Sequence, residues 1–199
     1  MIKKLLLILA LLTSFSFWAQ LGGRATYQFL NLVSSPKQAA LGGKLLTDYS
    51  YDPTSGLFNP ATINPEMHNQ LSLNYVNYLA DVNYGTVGYA YEYDRRSGVF
   101  HAGVTYVNYG TFEGYDERGN ATADFSGGEV AFSAGYAYNI PRTDFFVGAN
   151  VKLISSKLEQ YTSFGGAVDL GFIYVNDELE LNIAGVVRNI GTQFTAYDV

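Results

Sequence analysis

The histidines, serines and cysteines are the first residues to examine for catalytic or metal-binding chemistry. Only two histidines occur, His68 and His101, and the residues around them provide no metal-ligand spacing. No serine lies in a Gly-x-Ser-x-Gly elbow, and neither histidine has a nearby acid in a recognisable triad order. Cysteine is absent, which excludes thiol catalysis and zinc-thiolate sites. We therefore expect a protein that is not an enzyme and that has no metal or cofactor.

A second set of polar and charged residues lies within apolar segments, at alternate positions that would share one face of a sheet. The set is His101, Asn150, Lys152, Asp169, Glu180, Asn182 and Arg188. These side chains could line a channel or hold another part of the chain in place. The plainer interpretation is that the interior of any membrane barrel is polar.

Acidic and aromatic residues occur together between residues 110 and 128. The candidates for contact with a partner are Phe112, Glu113, Tyr115, Asp116, Glu117 and Arg118. An exposed loop of this composition could be a protein-docking surface. Equally, it could be a solvated external loop whose aromatic residues fold back on the rim.

The overall composition favours β-structure with part of its surface away from water. The 199 residues include 17 Tyr, 13 Phe and 21 Gly, and only 15% are charged, whereas soluble domains have about a quarter. Aromatic residues are enriched in strands. The net charge of −6 makes nucleic acid an improbable partner.

The first residues have the layout of a secretory signal peptide. A short basic stretch, Met1 to Lys4, precedes an apolar stretch from Leu5 to Leu12 and a polar-to-aromatic exit. The alternative is a transmembrane anchor, but the apolar stretch is shorter than the roughly 20 residues that span a bilayer. We predict a signal peptide over residues 1–19, cleaved after Ala19.

Seven segments then alternate large apolar residues with small or polar ones, which is the period of a β-strand. The predicted strands are 71–78, 84–93, 99–108, 129–139, 145–155, 162–175 and 179–188. Strands of about ten residues can cross a bilayer when tilted, and those of soluble proteins average about five or six. Short and longer connections alternate along most of the hairpins, as in outer-membrane barrels. We therefore predict an all-β fold, a transmembrane antiparallel β-barrel, over an exported soluble sandwich.

The strand number bears on how such a barrel closes. Single-chain bacterial barrels have even strand numbers, and an odd number leaves an open edge. We therefore expect residues 68–199 to form a partial barrel of about seven strands that is C-terminally truncated. The alternative is a small complete barrel of eight strands, in which part of 23–32 pairs as an extra strand.

Residues 20–67 are irregular in pattern. A short helix is predicted around 35–46, followed by turn-rich sequence with the pairs Asp52-Pro53, Asn59-Pro60 and Asn64-Pro65. Proline biases the residue before it away from helix. Four glycine pairs, among them Gly42-Gly43 and Gly165-Gly166, lack the spacing of a phosphate-binding loop and are expected to allow bends or close backbone packing.

Several motifs resemble a known family of barrels. They are YQFLNL at 27–32, QAALGG at 38–43, and Asp52-Pro53 followed by Phe58-Asn59-Pro60-Ala61. This arrangement resembles the start of the FadL-like outer-membrane barrels, whose N-terminal segment forms a hatch inside the barrel. The resemblance implies a hatch over residues 20–67, with Asp52, Phe58, Asn59 and Pro60 as its motif.

Together with YGTFEGYDERGN at 109–120, these motifs are similar to the PorQ family of the type IX secretion system. The resemblance implies a non-catalytic outer-membrane protein that anchors a PorZ-like surface protein beside the PorU sortase and the PorV shuttle. The alternative function is a FadL-like transporter of hydrophobic small molecules. The inward positions are mostly small, polar or charged, and a lumen for apolar ligands should be apolar, so the anchor is favoured.

Overall fold

A single antiparallel sheet dominates the structure, a computed structural model that describes residues 26–33, 35–94 and 98–198. Each strand pairs with its neighbours in sequence. The strands are β1 (Gln70–Asn77), β2 (Asn83–Asp94), β3 (Gly98–Phe112), β4 (Phe125–Asn139), β5 (Phe145–Leu158), β6 (Tyr161–Asn176) and β7 (Leu181–Asp198). The predicted signal peptide, residues 1–19, lies outside the described residues.

All seven predicted strands are confirmed, and some extend well beyond their predicted ends. The last strand, predicted as 179–188, runs from Leu181 to Asp198. Its register against β6 shifts at three places. Each irregularity exchanges the two faces of the strand, so the alternation of residue types that predicts a strand is lost there.

The connections differ from the prediction at one hairpin. Residues 156–161 were expected to form one of the longer loops, but Leu158 pairs with Tyr161. The turn is therefore only Glu159-Gln160, and Glu159 has the positive φ, 59°, that tight hairpin turns require. Residues 113–124, which we call the long loop, form the longest described connection.

The sheet is not closed into a barrel. Within the described residues, β1 pairs only with β2 and β7 only with β6, so each has one unpaired edge. The all-β, antiparallel part of the prediction is therefore confirmed, and the closed barrel is not formed. The eight-stranded alternative is wrong for its described part, because Gln28–Asn31 forms a 3-10 helix instead of a strand.

The two faces of the sheet differ in what covers them. Residues 26–67, which we call the N-terminal segment, pack on one face, the inner face. On the opposite, outer face every strand exposes large apolar side chains. One example from each strand is Leu73, Tyr91, Phe100, Phe132, Val151, Leu170 and Val187.

The N-terminal segment is built from short helical turns. Helix α1 (Pro36–Ala40) is shorter than the helix predicted over 35–46, because the chain turns after it and Gly43 N donates to Gln38 O with a φ of +125° at Gly43. Four 3-10 helices are Gln28–Asn31, Pro53–Leu57, Pro60–Thr62 and Pro65–Met67. No helix in the described part of the chain is long and apolar enough to cross a membrane.

Two apolar clusters join this segment to the inner face. One combines Tyr27, Phe29 and Leu30 with strand residues that include Val107 and Ile154, near the end of the sheet that carries the long loop. The other combines Ile63 and Met67 with Ala90, Val99 and Ala137, toward the opposite end. Polar residues occupy the inner face between the two clusters.

Candidate functional site

Three Asx-Pro pairs shape the middle of the N-terminal segment. The side-chain oxygens of Asp52, Asn59 and Asn64 each accept a hydrogen bond from the backbone N–H two residues later, at 2.9, 3.1 and 3.0 Å. Each Asx residue is thus the N-cap of a 3-10 helix with proline at its first position, where the missing proline N–H costs nothing. The prolines noted in the sequence therefore start helical turns as well as interrupting helices.

Two residues of the predicted hatch motif tie this segment to the sheet. Asn59 is fully buried, and its Nδ2 donates to Leu46 O at 2.8 Å and reaches Phe172 O of β6 at 3.5 Å. Phe58 is also buried, and the guanidinium of Arg188 lies 5.0 Å from its ring centroid, within the range of a cation–π contact. Asn59 and Phe58 thus link the N-terminal segment to β6 and β7.

Glycines on the inner face let the backbone of the segment approach closely. A methyl group built on Gly148 would lie 2.5 Å from the carbonyl carbon of Pro60, and one on Gly88 would lie 3.0 Å from that of Pro53. Both glycines are single residues within strands. Among the glycine pairs singled out in the sequence, Gly165 does meet the ring of Tyr27, but Gly148 and Gly88 belong to no pair and were not predicted to make such contacts.

Four of the predicted inward-facing residues form one buried polar network. A hydrogen bond of 2.5 Å joins His101 Nε2 to Asn150 Oδ1, and Asn150 Nδ2 donates to Gly56 O of the N-terminal segment at 2.8 Å. Asn150 Nδ2 also lies 3.4 Å from Asp169 Oδ2. Asp169 Oδ2 in turn is 2.6 Å from the ammonium of Lys152, and both side chains are almost completely buried. Because a buried charge is costly without a partner, these groups depend on one another.

Asn189 completes the network and is not among the residues predicted from the sequence. Its side-chain oxygen accepts a hydrogen bond from Lys152 Nζ at 2.9 Å, and its backbone N–H donates to Asp169 Oδ1 at 2.8 Å. Asn189 has a φ of +55° at an irregular part of the β6–β7 pairing. No two-residue period could predict its orientation, although asparagine tolerates this conformation better than most residues.

Arg188 joins the sheet to the segment, whereas the two remaining predicted residues lie elsewhere. Its guanidinium donates to Leu30 O at 3.1 Å and to Leu57 O at 3.3 Å. Glu180 lies in the exposed β6–β7 turn before the strand begins. Asn182 is near the start of β7 and is also exposed. The structure therefore brings together His101, Asn150, Lys152, Asp169 and Arg188 and separates them from Glu180 and Asn182.

The inner face changes character near the long loop. Tyr109, Phe112, Phe125, Leu158 and Tyr161, which we call the rim cluster, line a largely apolar cavity of about 360 Å³. An extra residue in β3 between Asn108 and Thr111 sets the register in which Phe112 pairs with Phe125. The rings of Phe112 and Phe125 stack with centroids 5.3 Å apart, so the cavity has an aromatic wall.

The long loop is organised by one carboxylate. Asp116 accepts hydrogen bonds from the backbone N–H groups of Arg118 and Asn120 and from Asn120 Nδ2, at 2.8 to 2.9 Å. These bonds, those from Asn120 foremost, lower the pKa of Asp116 below its ordinary value. Glu113 accepts from the Tyr115 hydroxyl at 2.7 Å. Glu117 and Arg118 have exposed side chains.

The polar groups of the inner face bind the N-terminal segment to the sheet. The described residues include no group of three or more histidines, cysteines or acids that could hold a metal ion. Members of the polar network bond one another, Asn150 donates to Gly56 O of the segment, and Arg188 donates to Leu30 O and Leu57 O. Comparisons with protein-family models, curated proteins and solved structures return no match.

Proposed function

We propose that the chain forms part of the wall and the internal plug of a bacterial outer-membrane β-barrel, reached by export through the N-terminal signal peptide. The observation that carries this proposal is the inversion of the sheet. Apolar side chains are exposed on the outer face, and charged side chains are buried on the inner face. This is the arrangement of a barrel whose outside meets lipid and whose interior is polar.

Neighbouring residues of β5 illustrate the energetic argument. Val151 and Leu153 are 57% and 61% exposed, whereas Lys152 between them is buried. In water, an apolar surface extending over seven strands would drive association, because soluble monomers rarely expose large contiguous apolar patches. In a bilayer the same surface is stable, since lipid replaces water around it.

The proposal requires the edges of β1 and β7 to be paired when the sheet lies in lipid. Unpaired backbone N–H and C=O groups cost several kcal/mol each in the hydrocarbon region. Further strands that join these two edges would complete the barrel and enclose the N-terminal segment, which then occupies the position of a hatch.

Within the membrane we propose a non-catalytic role as an anchor for a surface protein. The inner polar groups hold the plug, and the long loop is the largest described element that leaves the sheet. The resemblance to the PorQ family of the type IX secretion system names the proposed partner, a PorZ-like surface protein of the attachment complex that also contains PorU and PorV.

Transport of a hydrophobic small molecule is the second candidate, and the apolar rim cavity favours it. The space between the N-terminal segment and the sheet is less suitable for an apolar ligand. A second cavity of about 270 Å³ between the segment and the sheet is lined by polar residues such as Asn31, Asn189 and Thr192 as well as by apolar ones. Asn189 of this lining is hydrogen-bonded to both Lys152 and Asp169, a buried ion pair that an apolar ligand passing inward would leave poorly solvated.

The test is isolation of the tagged full-length protein from detergent-solubilised outer membrane of a bacterium with a type IX system, followed by mass spectrometry. We expect co-isolation of a PorZ-like protein and loss of that protein from the cell surface when the chain is deleted. Unchanged surface retention after deletion would contradict the anchor role. A lone barrel with bound fatty acid would favour transport, and recovery in the soluble periplasm would contradict the membrane location.

A further inference from the structure

The rim cluster is a preformed cavity without a partner among the described residues. Tyr109 packs against the apolar cluster below it, and its hydroxyl donates to Glu129 at 2.5 Å. Phe112 and Phe125 remain partly exposed although they stack on each other. Large aromatic side chains held in a fixed position around an open cavity are typical of the central part of a protein interface.

The charged residue that lines this cavity and the one buried behind it are both acidic. Glu159 forms part of its wall, and the buried carboxylate of Glu129 lies behind Tyr109. In the long loop, Glu113, Asp116, Glu117 and Asp124 stand against the single Arg118, a net charge of −3. A carboxylate or phosphate entering the cavity would therefore be repelled, whereas a cation would be attracted.

Arginine combines the two properties that this cavity favours, a positive charge and a surface that packs on aromatic rings. Its aliphatic stem packs on apolar surface, and its planar guanidinium stacks on aromatic rings and binds carboxylates. Lysine offers the charge without the planar stacking, and a fatty acid offers the apolar chain with the wrong charge.

Resting on the anchor role proposed above, we propose that the rim cluster is the docking site for a basic segment of the surface partner, with an arginine inserted in the cavity. The guanidinium lies against the stacked rings of Phe112 and Phe125 and binds Glu159. The acidic long loop attracts the flanking basic residues of the same segment. The inference deepens the anchor proposal by giving the partner-binding surface and the chemistry of the segment that it binds.

The experiment titrates the full chain, purified in neutral detergent, against a fluorescein-labelled nonapeptide of glycine and serine with three spaced arginines. A matched peptide carries glutamate in place of each arginine, and a third carries lysine. We expect the arginine peptide to bind at least about tenfold more tightly than the glutamate peptide. Its affinity should fall several-fold between about 50 and about 500 mM NaCl, because exposed charges are screened.

Two variants test the cavity itself, each with a matched control at the opposite end of the sheet. Glu159→Gln and Phe125→Ala should each weaken binding of the arginine peptide about fivefold or more. The controls Glu178→Gln and Leu179→Ala change an exposed acid and an exposed apolar residue of the β6–β7 turn and should leave it unchanged. Both rim variants keep the polar network, so mobility on heated and unheated gels verifies that they remain folded.

Three results would overturn the inference. They are equal binding of the arginine and glutamate peptides, no measurable binding of the arginine peptide, or equal effects of the rim variants and their controls. Decanoate, an apolar anion, serves as the competing probe. A fourth result that would overturn the inference is binding of decanoate at the rim while the arginine peptide stays bound, because the peptide then lies elsewhere and the cavity belongs to a small-molecule path. Failure of peptide binding with the chain still found in the outer membrane beside its surface partner would reject this site and leave the anchor role intact.

Discussion

Consecutive residues of β5 and β6 show how differently the two faces of one sheet are built. On the inner face, Lys152 of β5 forms an ion pair with Asp169 of β6, diagonally across the two strands, and both side chains are almost completely buried. On the outer face, Val151 and Val168 are paired in the same register and are exposed. In a soluble protein the charged pair would face water and the valines would be buried. This difference is the observation on which the proposed membrane location rests.

The inner face itself is divided into a polar centre and an aromatic margin. Its centre is polar, and Asn150 and Arg188 there donate hydrogen bonds to the N-terminal segment. Its margin near the long loop is aromatic, and its cavity is open. The centre therefore accounts for how the segment stays in place, and the margin is the part of the face that we propose as a docking site.

The largest expected effect comes from removing one charge of the inner pair. Asp169→Ala leaves Lys152 buried without its counter-ion, and breaking such a pair costs about 3–5 kcal/mol. The measurement is the free energy of unfolding in urea from lipid vesicles. Val168→Ala, the neighbouring residue on the outer face, is the control and should cost much less. Equal losses for the two variants would contradict the distinction between the faces.

A charge placed on the outer face should be nearly as damaging, but only in lipid. Val151→Arg lies near the middle of β5, where an arginine facing the bilayer midplane costs about 2–4 kcal/mol. An exposed residue in water tolerates such a change within about 0.5 kcal/mol. The same unfolding measurement decides between the two, with Glu117→Arg in the long loop as the control. A loss of unfolding free energy of only about 0.5 kcal/mol for Val151→Arg would indicate that the outer face lies in water.

A smaller but localised effect is expected where the segment meets the sheet. Gly148→Val places a side chain against the backbone of Pro60, where a single methyl group would already be 2.5 Å from the carbonyl carbon. Overpacking of this kind costs about 1–3 kcal/mol, and displacement of the segment would relieve it. We expect faster proteolytic cleavage within residues 47–67. The control Ala149→Val points to the outer face and should not change the cleavage rate.

The smallest effect concerns pH and the long loop. The pKa of Asp116 is lowered by its hydrogen bonds to Asn120, so the carboxylate orders the loop above the ordinary pKa of 3.8. That ordering is lost as the pH falls through the lowered value. The protection factor of the Asn120 amide, the factor by which its exchange is slowed relative to an unprotected amide at the same pH, should therefore be high from about pH 5 to 8 and fall in stronger acid. Protection that persists when Asp116 is changed to Ala would show that other contacts order the loop.

The strands and their faces could be predicted from the sequence because a period of two residues is a local property. Val147, Val151 and Leu153 alternate with Asn150 and Lys152 in a way that needs no knowledge of the rest of the chain. The same alternation placed His101, Asn150, Lys152 and Asp169 on one face. It failed for β7 beyond Arg188, where irregular pairing interrupts the period.

Three features of the inner face could not be predicted from the alternation of residue types. Asn189 enters the network only because its backbone has a positive φ, and Gly148 matters only because Pro60, far away in sequence, packs on it. The rim cluster depends on an extra residue in β3 that sets the pairing of Phe112 with Phe125. Each of these features is set by long-range packing, which the order of residue types does not encode locally.

The central claim is that the outer face of the sheet lies in lipid, and spin labelling tests it most directly. The sequence contains no cysteine, so single cysteines can be placed from residue 146 to residue 157 of β5 and labelled in the protein reconstituted in liposomes. We predict that labels at Val147, Val151 and Leu153 are accessible to oxygen and shielded from an aqueous nickel complex, while a label at Ser156, which is buried on the inner face outside the polar network, is shielded from both. Nickel accessibility at Val151 equal to that of a label at Glu117 in the long loop would contradict the account.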